Sequence, residues 1–538
     1  MKTWAVVLFA CSSLVANASP KDSGLDESLR RFEPYGLSGT IVVRRHGATI
    51  LRAGYGYANR ERRVANTPAT AYYFASVSKQ FIAAAILALE ADGKLSTDDR
   101  LARFFPDAPA PIRDVTLQQL LTHTAGVARE PGPIDPPPTR SGLMKTLLAL
   151  PLESAPGATY SYSNVGYTIL TAIVESVSGM TFESFVRTRL LTPAGMRGTG
   201  WRSGLDDAVV ARGYGMFAPP DELPNLPPLG LLVGTPEDLT RWAESLAAGK
   251  VLPRKQREKL YTPYVDDYVY GSWTTRDADG RRKNIADGDY PGYEIRLVRY
   301  LDDDTTIAVG LNVDGGWAKH VVSVIDHVLF GTEMPPLPPL TGPMDDALAG
   351  SYRFPSGDAL DVKATNGAFI ITPKGQDGLS AVAGQDAAAV AAINNGSREV
   401  IRKLLAHDDE GASAYLSVPK NIARLRHFID LLPPITSVDV LGSVVTRGGV
   451  ETQVRLRGPN ATRVWGFYWR EGKLRGWETQ EAGLSVYTSM GPRRFAPTAD
   501  GNLALFNPNT GQTVLLQVIR NGGDVIALES SAGARATR

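Results

Sequence analysis

The sequence predicts an α+β protein: an antiparallel sheet flanked by helices with an all-helical lobe, then a β-rich C-terminal region carrying an α+β insertion. Three observations carry this. Alternating runs, "GTIVVRRHGATILRAGYGYA" and "YEIRLVRYLDDDTTIAVGLN", read as antiparallel hairpins near either end of the first 330 residues. Between them, helical apolar spacing recurs after Ser76 as far as Gly93, and at 114–123, 167–179 and 181–191. Beyond a proline-rich break, short alternating runs with Asn-Gly and Gly-Gly turns return.

A chain of 538 residues exceeds what one core usually serves, so several domains are expected. "MPPLPPLTGP" at 334–343 is the clearest linker, because proline removes backbone donors and fixes φ. It divides a domain at 22–333 from a small β domain at 344–385 and 487–535, opened by a hairpin turning at Asn366-Gly367. An α+β module at 386–486 interrupts that β domain; a single irregular α+β domain is the alternative. Within the module, "DAAAVAAINNGSREVIRKLLAH" reads as two short helices, the second capped by Ser397. Strand-like runs follow from Val438 to Trp477, in which Trp465, Phe467, Tyr468 and Trp469 read as alternating strand core.

Lys and Arg number 57 against 56 Asp and Glu, a net charge of +1, which offers nothing to nucleic acid or an anionic membrane surface. At the N-terminus, Lys2, an apolar run and Ala16-Asn17-Ala18 form an export signal over 1–18, placing the protein in a periplasm or outside the cell. The "LFAC" stretch offers lipidation at Cys11 as a minor alternative. Cys11 is the one cysteine, so the exported chain has no disulfide. No later apolar stretch is long enough to span a bilayer. The six histidines are scattered without ligand spacing, so neither metal nor other cofactor is expected.

The chemistry starts at "FASVSKQF". On a helix, Ser76 and Lys79 lie one turn apart on one face, so a desolvated lysine can take the proton that makes a serine hydroxyl nucleophilic. Such a pair alone is weak, since S-x-x-K arises by chance about once in a chain of this length. In "YSYSNVGYTIL", Tyr162 and Asn164 sit two apart before a helix and point the same way, giving a general base eased by a neighbouring lysine and an amide to orient substrate.

Together these stretches resemble the serine β-lactamase and penicillin-binding-protein-like hydrolases, specifically the class C β-lactamase group with its carboxylesterases, D-aminopeptidases and D,D-carboxypeptidases. "ASVSKQFIAAAILALEADGKLSTDDRLARFFP", "TLQQLLTHTAGV", "PGATYSYSNVGYTILTAIVESVSGMTFESFVRTRLLTPAGM" and "PEDLTRWAESLAAG" carry the likeness in family order over about 37–329. The resemblance implies a class C β-lactamase-like catalytic domain in which Ser76 is the acyl-forming nucleophile, Lys79 its activator, Tyr162 the general base and Asn164 the substrate-orienting amide. It places His123 near the site, in a structural role.

The family also has a strand with Lys or His, one residue, then Gly, followed by Pro-Gly-aromatic. Here "IADGDYPGYEIRL" aligns through Pro291-Gly292-Tyr293, putting Ala286 at the cation and Gly288 at the glycine. Gly288 lets the strand approach, so the N–H groups of Ser76 and Asp289 can form an oxyanion hole. With the cation lost, Asp287 or Asp289 facing the cleft would repel an anion, which favours neutral or amine-bearing substrates. The expected function is an exported serine hydrolase acting through an acyl-enzyme on an ester or a D-amino-acid-type amide, its partner a small molecule or short peptide. A β-lactamase or D,D-carboxypeptidase, and a non-catalytic sensor of the same fold, are the alternatives. The oligomeric state is not legible.

Overall fold

The computed structural model describes residues 20–110, 112–130, 139–206, 208–214, 231–365, 367–430, 434–446, 449–459, 462–480, 493–508 and 511–538. The export signal with Cys11, most of the proline-rich stretches 130–140 and 218–230, Asn366 and Gly448 lie outside the described residues.

β1 (Gly39–Arg45) and β2 (Ala48–Tyr55) form the first hairpin, turning at His46-Gly47, where both residues take positive φ (50° and 78°). β3 (Trp273–Arg276), β4 (Arg282–Tyr290), β5 (Tyr293–Tyr300) and β6 (Thr305–Leu311) complete an antiparallel sheet of order β2-β1-β6-β5-β4-β3. Gly39 stands opposite Leu311 and Arg45 opposite Thr305, so the first hairpin closes against the last strand.

Around the sheet stand helices α1 (Pro20–Arg30), α2 (Ser78–Ala91), α3 (Asn164–Ser178), α4 (Pro236–Ala247) and α5 (Trp317–Phe330). Leu25, Leu29, Ile307, Val309, Val321 and Ile325 form a core between one sheet face and α1 and α5. The other face packs on α2 and α4 through Ala286, Ile295, Leu297, Ala308, Phe81 and Trp242. α2 is buried from Ser78 to Leu89, as its nearly unbroken apolar text requires. The stretch 114–123 forms only a short helix, Leu117–Leu121, started by a Thr116–Gln119 capping box, and the stretch 181–191 is helical over Phe182–Val186 before a wider turn at Arg187–Leu191.

Among the described residues no single helix is long and apolar enough to cross a membrane. The Asn164–Ser178 and Phe182–Ala194 helices pass that test only as a pair bent by 78°, and their apolar residues lie in the core.

Beyond residue 343, β7 (Gly350–Arg353), β8 (Ala359–Thr365), β9 (Ala368–Lys374), then β14 (Arg493–Pro497), β15 (Leu503–Asn507), β16 (Gln512–Asn521), β17 (Asp524–Ser530) and β18 (Arg535–Thr537) close into a barrel. Between β9 and β14 lie α6 (Ala391–Leu405) and an antiparallel sheet of β10 (Ser437–Thr446), β11 (Gly449–Arg457), β12 (Thr462–Arg470) and β13 (Lys473–Gln480).

Two readings are corrected here. Ser397 caps nothing: α6 runs through it, because Val400, Ile401 and Leu404 bury against Trp465 and Trp469 and carry the helix across the polar "NNGS". Tyr468 is no core residue. Trp465, Phe467 and Trp469 share the inner face of β12 by its period of two, and Tyr468 is 36% exposed.

The barrel is held to the first domain. Phe506 packs with Phe32, Trp317 and His320 at centroid distances of 5.5, 5.9 and 5.0 Å. The proline-rich linker is strapped to both sides, since Tyr35 donates to the Pro339 carbonyl (2.8 Å) and the Gly342 N–H to the Pro497 carbonyl (2.9 Å). Phe506→Ala is therefore expected to cost about 3–5 kcal/mol and lower the first thermal transition, measured by calorimetry.

Candidate active site

Ser76 occupies a 3₁₀ turn, Ala75–Val77, just ahead of α2, and neither helical start has a side-chain cap. The preceding Ala75 has φ 46°, a conformation an alanine adopts only when its surroundings impose it. The Ser76 hydroxyl is thus left free for other partners. Lys79 Nζ donates to Ser76 Oγ at 3.2 Å and to Asn164 Oδ1 at 2.7 Å, and the Tyr162 hydroxyl donates to Ser76 Oγ at 2.7 Å. The four residues that the motifs single out meet at one point.

Three supports hold them there. Gln80, next to Lys79, donates to Asn284 Oδ1 on β4 (3.0 Å) and accepts from Trp242 Nε1 on α4 (2.7 Å), tying α2 to the sheet. Ser163, the N-cap of α3, accepts from the Gly166 N–H and donates to the Ala128 carbonyl (2.6 Å), which sets Tyr162 and Asn164 on either side of the helix start. His123 lies 4.3 Å from the Tyr162 ring and 5.0 Å from those of Tyr167 and Tyr268, and its Nδ1 accepts the Ser163 N–H at 3.0 Å. Burial, with Lys79 and Arg129 nearby, drives its pKa well down, so it is a neutral brace.

Burial also lowers Lys79, which is 7% exposed, to about 7; Glu130 opposes the shift and Arg129 assists it. Tyr162 goes the other way. Desolvation pushes it up to about 12, more than the hydrogen bond to Ser76 and the Arg129 charge offset. These opposite shifts work against Tyr162 as the group that gives up its proton first and favour Lys79 as the base beside Ser76, with the Tyr162 hydroxyl donating to Ser76 Oγ.

β4 forms the facing wall. Gly288 abuts the nucleophile turn so closely that a Cβ there would stand 2.2 Å from the Phe74 carbonyl oxygen and 3.1 Å from Ser76 N. Ala286 lies on the same side, fully buried, and puts no cation at this position. β3 pairs only as far as Ile285, so from Ala286 to Tyr290 the β4 edge has no strand beside it among the described residues, and the Asp289 main chain lies on that stretch. The acids do not share the Ala286 face. Asp287 alternates to the other side and pairs with Arg296 at 2.8 Å, and Asp289 shares that side, raised to about 6 by desolvation and by Asp287. Asp287 is therefore neutralised by Arg296, whereas the charge of Asp289 acts on Tyr162, so the expected repulsion of an anion rests on Asp289 alone.

Two participants were missed in the sequence. Glu130 accepts from Asn164 Nδ2, and the Arg129 guanidinium carbon lies 5.3 Å from the Tyr162 ring centre. An Arg-Glu pair after a loop reads as solvated surface, and only its place right behind "THTAGVA" could have signalled it. Among the described residues no group of three or more His, Cys, Asp or Glu could hold a metal ion.

The sequence pattern described as Beta-lactamase matches residues 33–320, more than half of the chain and all of the residues above. This chain belongs to the β-lactamase family. It is 32% identical over 238 residues to a protein named putative penicillin-binding protein PbpX of Bacillus subtilis, covering 42% of this chain and 59% of that relative. A penicillin-binding protein of Bacillus halodurans superposes with a TM-score of 0.51 at 30% identity, over 57% of this chain and 99% of its own. A structure titled SurE with D-Leu shares the fold over 96% of this chain and 99% of its own, with a TM-score of 0.51 at 19% identity. The family is generally one of serine hydrolases, which agrees with the geometry at Ser76.

Two outcomes follow. Acylation of Ser76 by an uncharged reagent should rise about tenfold per pH unit below about 7 and level off above it, as Lys79 becomes the free amine, read by stopped-time intact mass. Gly288→Ala should slow that acylation at least about a hundredfold with an unchanged far-UV circular dichroism spectrum, because the strand and the turn must separate.

Proposed function

We propose that this protein is an exported serine hydrolase that forms an acyl-enzyme with an ester or a D-amino-acid-type amide. The observation that carries the reading is Ser76 Oγ within hydrogen-bond reach of both Lys79 and Tyr162 while Lys79 titrates near neutrality. The free Lys79 amine takes the Ser76 proton as Oγ bonds to the substrate carbonyl carbon. The tetrahedral oxyanion is received by the main-chain N–H groups of Ser76 and Asp289 beside the unpaired β4 edge.

Collapse breaks the bond to the leaving oxygen or nitrogen, and the proton held on Lys79 passes to it by way of the Tyr162 hydroxyl. Water then cleaves the Ser76 ester by the same route in reverse. Asn164, held between Lys79 and Glu130, orients the acyl portion. The neighbour solved with D-Leu supports including D-configured acyl groups among the substrates assayed.

A second reading, reaction with penicillins, is supported by the penicillin-binding-protein names of the relatives and opposed by Ala286. Incubation with a fluorophosphonate probe and with p-nitrophenyl acetate should give one adduct and steady turnover in the wild type and neither in Ser76→Ala. A wild-type protein inert to both would end the hydrolase reading. Benzylpenicillin in the same assay should acylate slowly, if at all; turnover as fast as that of the ester would install the second reading instead.

A further inference from the structure

The cation that the family places on β4 is absent, since Ala286 is buried and small and the nearby Asp287 is turned away and paired. The opposite wall of the cleft carries one. Arg129 is exposed, and its guanidinium stands over the ring of Tyr162, whose hydroxyl touches Ser76 Oγ. It is one phenol ring away from the nucleophile.

Its main chain is fixed, not floating. The Arg129 carbonyl accepts the Asn164 N–H at 2.8 Å, and the carbonyl just before it, of Ala128, accepts from Ser163 Oγ at 2.6 Å. The segment that bears Arg129 is thus bonded to the turn that presents Tyr162 and Asn164. Among the described residues the guanidinium makes no hydrogen bond and no ion pair, and the adjacent Glu130 carboxylate is engaged by Asn164 Nδ2. An arginine resting on an aromatic face keeps its planar fork of N–H donors oriented and available, which suits a carboxylate. The other charges around Tyr162 are Glu130 and Asp289, of opposite sign, and Lys79, which is only partly charged near neutrality.

We propose that Arg129 anchors a carboxylate at the far end of the substrate's acyl group, so that this hydrolase prefers acyl chains ending in a negative charge. The cation has in effect moved from the sheet wall to the loop wall. This rests on the acyl-enzyme reading above, and the test separates the two.

The full-length protein is assayed with mono-p-nitrophenyl glutarate and p-nitrophenyl pentanoate, which have the same chain length and differ in a terminal carboxylate against a methyl group. Wild type is expected to favour the glutarate at least about tenfold in kcat/KM, mainly through KM, and Arg129→Ala to lose about tenfold of that ratio while Arg129→Lys keeps part of it. Added salt should erode the ratio in the wild type and leave it level in Arg129→Ala.

Binding is read separately in proteins that cannot acylate. By calorimetry, Ser76→Ala should bind mono-p-nitrophenyl glutarate about tenfold more tightly than Ser76→Ala/Arg129→Ala. A glutarate-to-pentanoate ratio unchanged by Arg129→Ala, or equal affinities of the two inactive proteins, overturns the assignment and leaves the acyl-enzyme reading standing. Absence of turnover in the wild type with the affinity difference intact sinks the acyl-enzyme reading and leaves Arg129 as the anion anchor.

Discussion

An amine buried beside a serine hydroxyl is the constraint on which this structure depends. In water Lys79 would be charged and useless as a base; in the interior its charge is costly, so the neutral form competes near pH 7. That requires dry, rigid surroundings, and much of the first domain supplies them. α2 is buried along nearly its whole length, α3 and α4 pack against it, and Gln80 is bonded to both Trp242 and Asn284. Asn164 gives the amine a partner that adds no counter-charge. A nearby acid, Glu130, bonds to the far end of Asn164, and its opposing influence on Lys79 is weaker than that of burial.

The same constraint explains which parts of the site were legible. Ser76, Lys79, Tyr162 and Asn164 stand in local patterns, three apart on a helix and two apart before one, and the text around each pair specifies the local structure that aims it. His123 was legible as a brace because a histidine in a short turn usually serves the main chain, and it does so here by accepting the Ser163 N–H. What could not be read were properties set by burial. Tyr162 looked like a base next to a lysine, yet both residues are withdrawn from water, which raises a phenol and lowers an amine. The side on which Asp287 and Asp289 lie depends on the register with β5, where Asp287 meets Arg296, three pairs back from the Tyr290–Tyr293 pair that closes the hairpin.

In the C-terminal half, alternation and turn residues announced strands, but their partners were not legible. The barrel pairs β9 with β14, across more than a hundred intervening residues. Ser397 shows the opposite limit: serine, asparagine and glycine together argue for a helix start, and a row of aliphatic residues laid against two tryptophans overrides them. The linker was read correctly as unable to be helix or central strand, although it is no loose tether. Its carbonyls are tied to Arg31 and Tyr35, and its last glycine to the barrel. Phe506, with Phe32 and Trp317, joins the barrel to the face of the first domain remote from Ser76.

The order of strands in the first sheet has a consequence for how the protein is made. β1 cannot find its neighbour until β6 exists, some 260 residues later in the chain, and β4 cannot close on the Ser76 turn before residue 288 has been added. Contacts of that sequence separation are slow to form, because a long loop must be closed before any of them is rewarded. A growing or unfolded chain therefore carries its serine and lysine in water, with the amine charged and the hydroxyl inert. Reactivity arrives late and all at once, when the sheet shuts, which keeps the nucleophile silent until the domain has folded.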